Sequence, residues 1–215
     1  MSFLNQLKTQ AQALQSQRKV EDRRNAEAIE QTEQACGFIL SYLDDLARQL
    51  SVIEPPGPAL TIDGRTPWPA VKLVEFRVDA RRKGLGDREV FDYIAIGWRI
   101  VPRAGEQAGG VVTVNFPTDM QRVEDRLALG PVKHERIEVR HPERSVLQEV
   151  RYAYEAQTRG GVTVTPDHEN GQIRFRLLNT DGLEVAYVSV PPSRVGHDLM
   201  DELARRIVGH PNVFI

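Results

Sequence analysis

The chain holds one cysteine in 215 residues, Cys36, so no internal disulfide can form. A reducing compartment, the cytoplasm, is the expectation. Cys36 falls at an apolar position of a helical pattern, where a thiol behaves as a small hydrophobe rather than a nucleophile. There is no run of about eighteen apolar residues, so no membrane span is expected. The first apolar residues are diluted by Gln and Asn, unlike a secretory leader. Neither sign of charge dominates: 28 Lys and Arg face 30 Asp and Glu, for a net charge of −2, and no third of the chain is markedly basic. Nucleic acid, which needs clustered cations to displace phosphate counterions, is therefore not an expected partner.

The motifs of common chemistries are missing as well. Gly84-Leu85-Gly86 lacks the third glycine of a dinucleotide fingerprint and is followed by a charged strand instead of a helix. There is no phosphate loop, no paired cysteine spacing, no His-Glu-x-x-His and no Gly-x-Ser-x-Gly. No cofactor is implied, and the balance falls against an enzyme without excluding one.

What is present describes an α+β protein with a largely antiparallel sheet. At 40% hydrophobic residues the chain can bury a real core, roughly 70% of its unfolded surface for this length. Residues 1–50 lack proline, contain one glycine and are rich in Ala, Gln, Glu, Leu and Arg, which predicts one long helix. Two apolar blocks follow the alternating three-four spacing of a coiled-coil seam: Leu4, Leu7, Ala11 and Leu14, then Ile29, Thr32, Cys36, Ile39, Leu43, Leu46 and Leu50. Phe38 and Tyr42 widen the second block, as in a helix docked on a sheet. The charged stretch from Arg18 to Arg24 isolates the first block, so residues up to about 25 are expected to project. Their stripe needs its own cover: a second copy, another protein, the helix folding back, or a membrane surface, unless the segment frays.

A proline-rich connection follows over 51–69, with Leu60 and Ile62 read as a short edge strand and Trp68 pinned against the domain. Residues 70–215 form the sheet domain, in two sub-groups. In 70–130, the alternation at Phe76, Val78 and Ala80 and the doubly apolar run Val90 to Val101 predict a strand pair whose second member is covered on both faces. A short middle helix follows, with Thr118 and Gln121 as its capping box. In 131–215, five alternating segments predict a meander, with Asn170-Gly171 and Asp181-Gly182 at tight turns. A C-terminal helix capped by Ser193 packs on that sheet through Val195, Leu199, Met200, Leu203 and Ile207. The order from the middle helix through five strands to the last helix resembles helix-grip folds, in order alone and with no matching residues.

Two function classes follow. The first is a non-enzymatic interaction or scaffold protein that forms a homo-oligomer, or binds a protein partner, through Leu4, Leu7, Ala11 and Leu14. The second is a small-molecule-binding or catalytic domain with a cavity between the sheet and the C-terminal helix. For catalysis the candidate is Asp92, a carboxylate on the strand face of Val90, Ile94, Ile96 and Trp98, unless Arg77 or Arg99 pairs it. Tyr93 and Arg99 come next, on the opposite face. For a metal, imidazoles are available at His134, His141 and His168. The period of two separates His134 from Glu135, and His168 lies among turn residues that ordinarily satisfy backbone groups.

Overall fold

The computed structural model describes residues 3–130, 132–144 and 146–214, without the side chains of Leu4 and Thr9. In chain order its elements are α1 (Phe3–Ile53), β1 (Val71–Leu85), β2 (Arg88–Pro102), β3 (Gly109–Val114), α2 (Pro117–Leu129), β4 (His134–Arg140), β5 (Leu147–Glu155), β6 (Thr158–Asp167), β7 (Gln172–Leu178), β8 (Val185–Val190) and α3 (His197–Ile207). The α+β architecture expected from the sequence, with its three helices and antiparallel strands, is what the chain adopts.

α1 is continuous over 51 residues. Nothing in it removes a backbone donor, and at 1.5 Å per residue it is about 76 Å long. Its second half docks on the sheet: Thr32, Ala35, Cys36, Ile39, Leu43, Ala47 and Leu50 are buried in the main core. The Thr32 hydroxyl is buried there without a hydrogen-bond partner. Thr32→Val replaces that orphaned oxygen with a methyl of nearly the same shape. It is expected to raise stability by about 1 kcal/mol in urea unfolding. A loss of stability would show that the hydroxyl is satisfied in solution.

The strands form two antiparallel sheets, and the five segments of 131–215 divide between them instead of running as one meander. The larger has the order β1-β2-β6-β7-β8 and the smaller the order β3-β5-β4. β6, β7 and β8 do run as a meander, but β2 flanks it through Ile94↔Val164 to Ile100↔Thr158. β4 and β5 belong to the other sheet, where β5 also pairs with β3. Only Ala156 and Gln157 separate β5 from β6, and there the chain passes from one sheet to the other. The helix-grip likeness therefore ends at element order. The pairs β2–β6 and β3–β5 also join the groups 70–130 and 131–215.

β2 is central, as expected, but covered on one side. Ile94, Ile96, Trp98 and Ile100 are buried on the face toward α1, while Ala95 and Gly97 are half-buried and Arg99 is exposed on the other. α3 lies beside α1, where the Tyr42 hydroxyl donates to Asp201 at 2.6 Å and Phe38 meets the His197 ring edge-on at 5.0 Å. Met200, Leu203 and Ile207 are wholly buried in the same core as Phe175 and Phe214.

Several local expectations are corrected by proline and backbone geometry. α2 begins at Pro117, whose fixed φ suits the first helical position, so Phe116 is the N-cap and no side chain caps it. Gln121 bonds Asp125 instead of closing a capping box. Ser193 falls within one 3₁₀ turn, Pro192–Arg194, after which extended Val195 and Gly196 delay α3 to His197. The β6–β7 link has four residues, His168–Gly171, with Gly171 alone at positive φ. Leu60 and Ile62 are wholly buried but form no strand; only the bridge Thr61↔Pro67 is present. Trp68 is buried too, stacked on Tyr154 with centroids 5.4 Å apart.

Candidate interaction surface on the first helix

From Phe3 to Asn25 every described side chain of α1 is exposed. Phe3 is 73% exposed, Leu7 44% and Leu14 56%, so the apolar stripe of this half has no cover among the described residues. Leu4, the remaining member of the predicted stripe, has its side chain outside the described residues. The charged stretch behind it is a solvated face, with local pairs such as Arg23–Glu27 at 2.8 Å. At about 100° per residue, Leu7, Ala11 and Leu14 point to the same side of the helix as Cys36, Ile39 and Leu43. The helix thus docks with one end of a stripe and leaves the other end bare.

A charged cluster fixes the point where the helix leaves the domain. The Glu33 carboxylate accepts the backbone N–H of Phe91 at 2.9 Å and meets His168 Nε2 at 2.9 Å, with Arg82 at 3.5 Å. Arg82 lies 4.1 Å over the Phe91 ring. The His168 side chain is 4% exposed, so it is neither a free turn residue nor an open metal ligand. Nearby, burial pushes the Cys36 thiol up to about 12, with Glu33 adding to the effect, which keeps it protonated and unreactive. Glu33 and Arg82 escaped sequence reasoning. The available signal was a carboxylate flanking the docked stripe of a helix, a position that demands a partner.

The catalytic candidates do not converge. The β1–β2 register passes from Arg81↔Tyr93 to Arg82↔Phe91, so Asp92 is the extra residue of a bulge. Phe91 enters the core, and Asp92 turns outward to pair with Lys83 at 3.1 Å, not with Arg77 or Arg99. The Tyr93 hydroxyl donates to Asp79 at 2.7 Å, a bond that raises its pKa. Arg99 pairs with Glu75 at 2.7 Å and donates to Gln157. Tyr93 and Arg99 share a face but lie about 20 Å apart along the strand.

The imidazoles are also dispersed. His134 Nδ1 bonds the Val132 carbonyl at 2.8 Å, and His141 Nδ1 accepts the Glu143 N–H at 3.2 Å, near opposite ends of β4. Asp167, beside His168, has its carboxyl held below the usual range, chiefly by the Asn170 side chain and backbone N–H. Among the described residues no three His, Cys, Asp or Glu side chains come together as a metal site would require, and no helix is long and apolar enough to cross a membrane.

Compared with protein-family models, with curated proteins and with solved structures, the chain matches none of them significantly.

Proposed function

We propose that this protein is a non-enzymatic assembly module that pairs with a second copy of itself through the free half of α1. The observation that supports it is the exposed stripe at Phe3, Leu7, Ala11 and Leu14 on a helix that stands clear of its own domain. Helices in proteins draw most of their stability from packing an amphipathic face, and burying side chains such as Phe and Leu contributes roughly 1.5–3 kcal/mol each. A helical partner with the same stripe supplies that cover, and the chain itself carries one.

The pair runs antiparallel. Free and docked stripes share one side of α1, so two parallel helices would place each sheet domain where the other helix must continue. Antiparallel helices overlapping from Phe3 to Val20 carry the domains at opposite ends. An antiparallel pair also avoids stacking Arg18 on Arg18 and Glu21 on Glu21 along the seam.

The test is solution mass by light scattering. The Leu7→Asp/Leu14→Asp double variant is expected to halve the mass of the full chain without changing its melting temperature. A full chain that is already monomeric would sink the reading. Orientation is tested with Arg18→Cys: oxidation should leave it uncrosslinked, because its two copies lie about 20 Å apart in an antiparallel pair centred near Ala11. A crosslinked dimer would mean a parallel pair. Buried Cys36 does not compete.

A further inference from the structure

The face of the larger sheet turned away from α1 holds a concavity of about 320 Å³, whose lining includes Glu75, Arg77, Gly97, Arg99, Arg159 and Gly160 beside Trp98. Its charge is unbalanced. Arg99 and Arg159 sit directly opposite each other on β2 and β6, an arrangement of like charges that costs stability in a sheet. Glu75 answers Arg99, but among the described residues neither the Arg77 nor the Arg159 guanidinium has an acid or a hydrogen-bond partner. Two guanidinium groups without counter-ions therefore face one hollow.

The floor of the hollow adds independent support. Gly160 must be bare, because a Cβ there would meet the Trp98 indole at 2.3 Å. Gly97, paired with Arg77 on one side and Gly161 on the other, has no such reason: its Cβ would meet nothing closer than the Gly160 carbonyl at 3.9 Å, and its φ is not positive. Glycine inside a central strand weakens it, and where packing does not require it, it marks close approach by another group. At the rim, a β-bulge in β1 holds Glu75 at φ +57°, costly for a residue with a side chain, and points its carboxylate at Arg99.

We propose that this concavity binds a small phosphorylated ligand, with the phosphoryl group over Gly97 between Arg77 and Arg159. Two planar guanidinium forks match the doubly charged oxyanion in charge and in hydrogen-bond geometry, and Glu75 keeps Arg99 oriented at the edge. The volume suits a small molecule rather than a polymer groove. The site lies on the sheet, away from α1, and is independent of self-association.

The test is calorimetric titration of the full chain with inorganic phosphate and with pyrophosphate at constant ionic strength. Saturable binding is expected, weakened at least about tenfold in Arg77→Gln/Arg159→Gln. Gly97→Val is expected to abolish it by filling the floor, while the melting temperature of the unliganded protein holds or rises because valine suits a strand. Should Gly97→Val misfold, Gly97→Ala carries the same expectation on a smaller scale. Absence of saturable binding at millimolar phosphate would overturn the assignment. So would binding that survives both substitutions, or binding of a single-stranded oligonucleotide with no response to either small anion.

Discussion

Replacing Glu33 with alanine is expected to lower stability by about 2–4 kcal/mol, far more than the loss of any exposed ion pair in the chain. Glu33 is 21% exposed and serves three groups at once: the Phe91 N–H, His168 Nε2 and Arg82. Without it the His168 side chain, 4% exposed, loses the acceptor or charge that justifies its burial, and the Phe91 amide loses its partner. An exposed pair is the contrast. Arg23 and Glu27 have side chains 82% and 56% exposed, and Glu27→Ala should change stability by less than about 0.5 kcal/mol. Urea unfolding of both variants decides the difference. A cycle with His168→Ala adds a stricter test, since residues in one network couple by roughly 0.5–3 kcal/mol. The double variant should lose clearly less than the sum of the two singles. Strict additivity, or a Glu33→Ala effect as small as that of Glu27→Ala, would mean that the cluster does not hold the helix to the sheet.

That cluster also shows where sequence legibility stops. The docked half of α1 was readable because Thr32, Cys36, Ile39, Leu43 and Leu50 repeat at the helical period, and burial on one side is the cause of that repeat. β7 was readable for the same reason at period two, with Ile173, Phe175 and Leu177 buried between exposed Arg174 and Arg176. Such patterns say which residues share a face, and nothing about which strand lies alongside. The pairing of β2 with β6 spans more than fifty residues and leaves no local trace, which is why the sequence leaves open whether the strands form one sheet or two. Bulges are equally silent. One extra residue reverses the face of every side chain on one side of it, and this is how Asp92 came to be assigned to the core face that Phe91 occupies. Glu33 and His168, 135 positions apart, were each visible as a residue needing a partner, but not as partners of each other. The hollow between Arg77, Gly97 and Arg159 draws on three strands and was invisible for the same reason.

A chain beginning at Asn25 is expected to have the mass of one subunit in light scattering, where the full chain has that of two, while the melting temperature shifts by less than about 2 °C. Both halves of this expectation come from the division of α1. The described side chains of residues 3–24 are all exposed, and none of them belongs to the core. The contacts that seat the helix, from Glu33 through the buried run Thr32 to Leu50, all lie beyond the cut. The proposed self-association should therefore be separable from domain stability. The full chain should also show a mass that falls on dilution, because a dimer held by a few apolar layers obeys mass action, and the truncated chain should not. Dimers that persist after truncation would move the interface to the sheet domain, with the uncovered face around Arg77 and Arg176 as the first place to look. A melting temperature that falls by many degrees would mean that the free half of α1 folds back on the domain in solution, and the stripe would then be core rather than interface.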